Sequence, residues 1–384
     1  MGGRGWEETF PHPTSHIPHP NLRVILTGGG TGGHLFPALA LAEEFKARDK
    51  DCEILFIGSA TGIEKRVVPR YGYRLELLDI EGFKGKRLFN KVSAGIKVGK
   101  AILSAVKILK SFEPDGVVGT GGYSSAPVVM AARLLKIKTA ILEQNTIPGL
   151  TNRILGRFVN IIFIAFEESK RFFPAGRVVL AGNPIRKELL KTRANREGEK
   201  FSILVFGGSQ GAKAINTAFL DAMEYLADIR DSLRVIHQTG DADYTMVKET
   251  YERKDIKADI FRFIDDMSSV YASTDLVICR GGATSIAEVA ALGLAAILIP
   301  YPFSANNHQE INTRCLADKG AAVMLKQDEI IGDALASLIR RFYENPDELE
   351  SMQKKALAFG KPNAAEEIVG SILRMLNWRL QNAN

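Results

Sequence analysis

Cysteine is scarce in this chain: three among 384 residues, at Cys52, Cys279 and Cys315, with no Cys-x-x-Cys pair. So few and so far apart, they exclude a disulfide framework, argue against a zinc site and fit a reducing compartment. No stretch reaches the roughly 18 uninterrupted apolar residues of a membrane span. Residues 1–20 are rich in Pro, His and Gly but lack the apolar h-region of a signal peptide, and read as a disordered extension. These absences place the expected location in the cytoplasm. The Lys-[Ser/Thr] ending of a P-loop is missing as well, which disfavours ATP hydrolysis.

Acidic residues are missing from one long segment. Between Lys84 and Lys110 the charged residues are Lys84, Lys86, Arg87, Lys91, Lys97, Lys100, Lys107 and Lys110, all basic, in a chain whose net charge is +6. Leu88, Phe89, Val92, Ile96, Ile102 and Leu103 are interleaved with them. One reading is an amphipathic helix with a solvated basic face. Another is a surface that rests on anionic lipid, where each Lys or Arg contributes about 1 kcal/mol. Nucleic acid ranks last, because aromatics are sparse here and no nucleic-acid motif accompanies the patch.

What is present is a globular composition, 46% apolar and 24% charged, in a chain too long for one ordinary core. A unit of apolar run, glycine-rich loop and helical pattern occurs twice. Leu22 to Thr27 runs into Gly28-Gly29-Gly30-Thr31-Gly32-Gly33 with helical periodicity through Lys46; Phe201 to Phe206 runs into Gly207-Gly208-Ser209-Gln210-Gly211 with a helix to about Leu226. Further strand-like runs are Glu53–Ile57, Gly116–Val118, Thr139–Leu142, Ile161–Ile164, Leu233–His237, Leu276–Ile278 and Ala296–Ile299. Short Val/Ile-rich strands alternating with helices predict an α/β fold of parallel sheets covered on both faces. The restart near residue 200 predicts two doubly wound Rossmann-like domains, with the boundary in the polar stretch Arg186 to Lys200. The division is then 1–20 extension, 21–185 first domain and 186–384 second domain, the final helix (Ala364 to Leu380) a candidate to pack back on the first. Ligands of such sheets bind beyond the strand carboxyl ends, so a cleft between the domains is the expected site.

Glycine loops between strand and helix let a phosphate approach free amides and a helix end. They also simply permit tight turns, and for one loop that account is as good. Three such loops, counting Gly119-Thr120-Gly121-Gly122, favour the ligand. The first can be forced onto Gly-x-Gly-x-x-Gly, but Glu53 opens the next strand where a ribose-binding acid would end it, so a dinucleotide enzyme is the weaker reading. His34 follows the first loop where the helix begins; a positive helix end keeps an imidazole neutral and able to accept a proton. Ser285-x-x-Glu288 reads first as a capping box, and second as an acid for a ribose diol.

Gly28 to His34, Gly121-Gly122-Tyr123, Glu143-Gln144-Asn145, Ala181 to Arg186, Gly207 to Ala212, Phe263 to Met267, Cys279 to Ala283 and Asn307-His308-Gln309 fall in one order. In that order the chain, over about residues 21 to 375, resembles the MurG family of N-acetylglucosaminyltransferases of peptidoglycan synthesis. The resemblance implies a glycosyltransferase B fold that moves GlcNAc from UDP-GlcNAc to the 4-hydroxyl of MurNAc in undecaprenyl-linked lipid I. Configuration inverts, and neither metal nor cofactor is needed. It implies Ile264 backbone on uracil, Glu288 on the ribose, Ser209, Arg186 and the Ala283-Thr284-Ser285 loop, continuing into Ile286 and Ala287, near the diphosphate, and Gln309 on the sugar. On the acceptor side it implies Thr31, Gly32 and Gly33 near the reacting groups, Asn145 orienting the sugars and His34 as base. Partners so implied are UDP-GlcNAc, lipid I, an anionic inner-membrane surface reached from the cytoplasmic face, and other cell-wall synthesis proteins; nucleic acid is not among them. Leu142 departs from the His of many members. The rivals are another B-fold transferase, such as a diacylglycerol glycosyltransferase, and a non-catalytic nucleotide-sugar-binding protein.

Overall fold

A computed structural model of the protein describes residues 21–78, 91–191, 200–208 and 211–378. The first half runs β1 (Arg23–Gly28), α1 (Gly32–Arg48), β2 (Glu53–Ser59), α2 (Glu64–Val67), β3 (Arg74–Leu78), α3 (Lys91–Phe112), β4 (Gly116–Gly121), α4 (Ser125–Leu134), β5 (Lys138–Glu143), α5 (Leu150–Leu155), β6 (Ile161–Ile164) and β7 (Val178–Leu180). A linking helix, α6 (Lys187–Lys191), follows. The second half runs β8 (Phe201–Phe206), α7 (Lys213–Tyr225), β9 (Leu233–Gln238), α8 (Tyr244–Arg253), β10 (Asp259–Phe261), α9 (Met267–Ala272), β11 (Leu276–Arg280), α10 (Ala283–Leu292), β12 (Ala295–Ile299), α11 (His308–Ala317) and β13 (Val323–Met324). Three helices close the chain: α12 (Gly332–Glu344), α13 (Pro346–Phe359) and α14 (Ala364–Met375).

Both halves form parallel sheets, in the orders β3-β2-β1-β4-β5-β6-β7 and β10-β9-β8-β11-β12-β13. Each sheet therefore reverses direction beside its first strand, between β1 and β4 and between β8 and β11. The two-sided burial is written in the strands. In β1, Val24 and Leu26 join the cluster under α1, while Ile25 joins the cluster on the other face. In β8, Ile203 and Val205 face α7 and α12, while Leu204 and Phe206 pack with Ile286, Val289 and Ala290 of α10. A strand covered on both faces needs an apolar run through its middle, and Val24 to Leu26 and Ile203 to Phe206 supply it. The chain's last described helix returns to the first sheet: Ile368, Val369, Ile372 and Leu373 of α14 lie in one cluster with Leu35, Leu39 and Phe45 of α1.

The strands read from the sequence are all found, with ends within three residues. The four not anticipated, β3, β7, β10 and β13, are the four sheet edges. The capping box at Ser285 and Glu288 is not formed. α10 begins three residues earlier, with Gly282 as its N-cap and no side-chain cap, so Ser285 and Glu288 lie inside the helix. The chain turns from β11 straight into the helix at Gly282, whose backbone is extended, and Gly281 leaves room for Thr313 of α11, which a Cβ there would meet. In α3 the described side chains bury Ala101, Ala105, Leu109 and Phe112 and leave Val98, Lys100, Leu103, Lys107 and Lys110 exposed. Lys84, Lys86 and Arg87 lie outside the described residues, as do Ser209 and the extension 1–20. Among the described residues no helix is long and apolar enough to cross a membrane.

One polar group sits deep in the second core. His237 of β9 is fully buried, with Nδ1 2.9 Å from the Tyr251 hydroxyl and Nε2 3.1 Å from Asn216 Oδ1. Burial holds it at about 3, far below the ordinary 6.5, so the folded protein keeps it neutral where the unfolded chain would protonate. Stability should therefore fall as pH drops from about 6.5 towards 3, by up to about 1.4 kcal/mol per pH unit from this group alone. Chemical denaturation across that range checks it: the slope should flatten in His237→Gln, and an equal slope in both would remove His237 as the cause.

Candidate active site

The carboxyl ends of β1, β4 and β5 meet at the reversal point of the first sheet, where α/β sheets place their ligands. β1 opens into the first glycine loop, and Thr31 caps α1 with extended backbone but no side-chain bond. Gly32, Gly33 and His34 are thus the first three helical residues, and the first turn has no acid. His34 is half-buried, and its Nδ1 lies 2.9 Å from the Thr120 carbonyl at the end of β4. A carbonyl only accepts, so a neutral ring must carry its proton on Nδ1 and leave Nε2 with a lone pair. Thr120 returns a bond from its hydroxyl to the His34 carbonyl at 2.8 Å, and Gln144 Nε2 donates to the same Thr120 carbonyl at 2.6 Å. Burial pushes the His34 pKa below its ordinary value, against the opposing pull of Thr120. The ring is therefore held neutral, with Nε2 able to accept a proton.

Its setting depends on glycine. Gly121 has φ +102°, and a Cβ there would lie 2.7 Å from His34 Nδ1; Gly122 has φ +83°, and a Cβ would lie 2.5 Å from the Gly29 carbonyl. Beneath the loop, the buried carboxylate of Glu64 accepts from the Gly30 amide at 2.9 Å.

Opposite stands the start of α10. Its first turn is also free of acid and of any side-chain cap. Thr284 donates its hydroxyl to the Gly33 carbonyl at 3.4 Å across the cleft, and Asn183 Nδ2 reaches Thr284 Oγ1 at 3.5 Å. Two helix N-termini therefore converge, each presenting free amides and partial positive charge. Arg186 adds a whole charge. Its guanidinium is buried, lies 4.9 Å from the Phe36 ring, and donates to the Tyr71 hydroxyl at 3.2 Å and to Glu188 at 2.7 Å. Its Nε has no hydrogen-bond partner. Burial works against the Arg186 charge, but Glu288, Tyr71 and Glu188 hold its pKa above the ordinary value.

Glu288 is buried and accepts from the Tyr271 hydroxyl at 2.9 Å. Burial raises its pKa while Arg186 and Tyr271 draw it down. Ile264 is buried, and its amide donates to Gln238 Oε1 at 2.8 Å; Gln238 Nε2 in turn donates to the Gly208 carbonyl at 3.1 Å. Ala283 is buried at the helix start, Ser285 and Ala287 are half-buried, and Ile286 belongs to the core, so any ligand contact of Ile286 falls to its backbone. Between the domains, Phe36, Ile63, Arg66 and Val67 face Asp241, Ala242 and Phe263 around a cavity of 340 Å³.

Two further expected residues meet on α11. Asn145 Oδ1 accepts from Asn312 Nδ2 at 3.1 Å, and the Thr146 amide and hydroxyl both donate to Asn312 Oδ1 at 2.9 Å. Glu143, buried, holds Asn145 from behind through the Asn145 amide at 2.9 Å, and also accepts from Asn152 at 2.9 Å. Gln309, at the start of α11, binds the Tyr301 amide through Oε1 at 2.9 Å. The structure thus joins the Thr31–His34 turn to Thr284 through the Gly33 carbonyl, and Arg186 to Glu288 by charge. Asn145 follows β5 and reaches α11 through Asn312, whereas Gln309 lies on α11 itself. Glu64, Gln238, Tyr271 and Asn312 went unassigned from the sequence, because no motif there marks a residue whose partners are distant in the chain. Among the described residues no group of three or more His, Cys, Asp or Glu side chains could hold a metal ion.

Residues 24–164 match the glycosyltransferase family 28 N-terminal domain, and residues 202–368 match the C-terminal domain of that family. The chain is 48% identical over 349 residues to the UDP-N-acetylglucosamine–N-acetylmuramyl-(pentapeptide) pyrophosphoryl-undecaprenol N-acetylglucosamine transferase of Myxococcus xanthus, covering 90% of this chain and 91% of that one. It is 47% identical to the enzyme of the same name from Syntrophus aciditrophicus, covering 92% and 99%. The crystal structure of Acinetobacter baumannii MurG superposes with a TM-score of 0.74 at 32% identity, over 92% of this chain and all of that one. Two Rossmann-like domains closed on a cleft in this way define a glycosyltransferase with the B fold. The chain belongs to the MurG family of N-acetylglucosaminyltransferases, within glycosyltransferase family 28.

Because a Cβ at Gly121 would meet the imidazole and carry an unfavourable φ, Gly121→Ala should displace His34 and cost about 1–3 kcal/mol. Denaturant melts and the His34 ring resonances in NMR would read both. A variant with wild-type stability and an unmoved ring would show that the loop accommodates a side chain.

Proposed function

We propose that this protein transfers GlcNAc from UDP-GlcNAc to the 4-hydroxyl of MurNAc in undecaprenyl-pyrophosphoryl-MurNAc-pentapeptide, giving lipid II and UDP. The observation that carries the reading is the neutral His34, bonded through Nδ1 to Thr120, at a point where two acid-free helix ends and Arg186 converge. His34 Nε2 takes the proton of the acceptor hydroxyl as its oxygen attacks the anomeric carbon. The bond from that carbon to UDP breaks on the opposite face, so configuration inverts. Negative charge then grows on the diphosphate, where the α10 amides and Arg186 are already aimed and need no rearrangement.

In this reading the second domain holds the donor. Glu288 takes the ribose hydroxyls, with Tyr271 keeping its carboxylate in place. The Ile264 backbone faces uracil through its carbonyl, since its amide is held by Gln238. Ser209 and the Ala283–Ser285 turn lie at the diphosphate, and Gln309 reaches the sugar. The first domain takes lipid I, with Thr31, Gly32 and Gly33 at the reacting hydroxyl and Asn145 orienting the sugars. The domain division at residues 185 and 186 follows the same logic, with Arg186 opening the donor side. The protein sits on the cytoplasmic face of the inner membrane without spanning it, and the basic, apolar-studded segment from Lys84 to Lys110 rests on anionic lipid. Leu103, 64% exposed on α3 among lysines, suits that surface better than water.

The decisive assay is transfer of labelled GlcNAc from UDP-GlcNAc to a soluble lipid I analogue, beside other UDP-sugars and lipid acceptors. His34→Ala should lower turnover by about 10²–10⁴-fold with donor binding kept. Unchanged turnover would take His34 out of the base role, and a preference for another acceptor would replace the reaction itself. The membrane reading has its own check in vesicle sedimentation. Replacing Lys84, Lys86, Arg87 and Lys91 by Gln should weaken binding to anionic vesicles and spare activity on the soluble acceptor; equal binding would leave the segment as a solvated helix.

A further inference from the structure

Glu64 is buried to 1% exposure directly under the first glycine loop. Its Oε1 accepts from the Ser59 amide at 2.7 Å and the Ser59 hydroxyl at 3.1 Å, and its Oε2 accepts from the Gly30 amide at 2.9 Å. Three glycines from separate segments leave the room it occupies. A Cβ at Gly29 would lie 2.3 Å from Glu64 Oε1, one at Gly58 2.4 Å from its Cγ, and one at Gly62 2.0 Å from its Oε2. A side chain at any of the three would evict the carboxylate. The loop and the end of β2 are thus shaped around this one acid.

A buried acid bonded to amides is often no more than a loop staple. Two facts carry Glu64 further. The amide it holds belongs to Gly30, at φ +84°, in the turn that aims the start of α1 and therefore His34. Its charge also reaches the imidazole: of the charged groups facing His34, Glu64 from α2 raises its proton affinity, and His308 from α11 in the other domain lowers it.

We propose that Glu64 is a positioning residue for the transfer step: it holds the Gly28–Gly33 loop in the shape that presents His34, and its negative charge steadies the imidazolium formed as His34 takes the acceptor's proton. The inference rests on His34 being the base. It also assigns the first loop a limit, since an amide bonded to a buried carboxylate does not bind a phosphate.

Glu64→Gln in the full chain is the test. Glutamine keeps the shape, but its amide nitrogen meets Gly30 N–H or Ser59 N–H donor to donor, so one loop bond and the charge are lost together. With UDP-GlcNAc and a lipid I analogue, kcat should fall by about 10²-fold while donor KM stays within about twofold. The acid limb of the pH profile should move to lower pH, because the group that raised the His34 proton affinity is gone. Amide exchange over Gly28–Phe36 should quicken with the remaining strands unchanged. Glu64→Asp, which keeps the charge on a shorter arm, should loosen the loop and lower kcat with the acid limb in place; it carries the test should the Gln variant not fold. A limb that His34→Ala abolishes and Glu64→Gln leaves unmoved overturns this proposal alone, and so does a limb that moves in Glu64→Asp. A limb that survives in His34→Ala overturns the base reading and this proposal with it.

Discussion

The bond from His34 Nδ1 to the Thr120 carbonyl fixes more of this molecule than any other single contact. It joins the start of α1 to the end of β4 across the place where the first sheet reverses direction, and it decides which ring nitrogen carries the proton. Several otherwise unrelated residues exist in its service. Gly121 and Gly122 take left-handed backbone because a side chain at either would strike the ring or the Gly29 carbonyl. Thr120 uses its hydroxyl to bind the His34 carbonyl, and Gln144 shares the same acceptor as the ring. The orienting partner of the ring is thus a backbone carbonyl rather than a carboxylate.

The surroundings of Arg186 solve a different problem, that of burying charges without neutralising them. Arg186 and Glu288 are both buried, where an isolated ion is costly and a pair is tolerated. Tyr271 gives Glu288 a hydroxyl proton and Tyr71 gives Arg186 an oxygen, so each ion keeps a neutral partner besides the other. Tyr71 comes from the first domain and Arg186 from the junction, so this charge network also registers one domain on the other. Asn312 does the same on α11 with both Asn145 and Thr146.

How much of this could be read from the chain follows from where each signal resides. A central strand buried on both faces carries an apolar run, and β1, β2, β4, β5, β6, β8, β9, β11 and β12 were legible for that reason. The edges β3, β7, β10 and β13 are two to five residues long and only partly buried, too short to stand out from their surroundings. His34 was legible because it sits beside its own loop, and the glycine loops because strand and helix flank them. Ser285-x-x-Glu288 misled because the capping pattern is local, whereas α10 starts where β11 ends, with Gly281 packed close against α11. Glu64 has its partners five and 34 residues away, and no local pattern encodes that.

The two halves repeat one topology, and the difference in their chemistry lies beneath their glycine loops. Under the first loop is Glu64, a carboxylate already bonded to the Gly30 amide. Under the second is Gln238, a neutral amide that gives a proton to the Gly208 carbonyl and takes one from Ile264. An anion approaching the first loop meets negative charge from below and one amide fewer. One approaching the second domain meets a neutral floor, the bare start of α10 and the Arg186 guanidinium. The same fold, used twice, thereby carries unlike charge beneath its two glycine loops: a carboxylate that already occupies one amide in the first half, and a neutral amide in the second, with Arg186 and the uncapped start of α10 beside it.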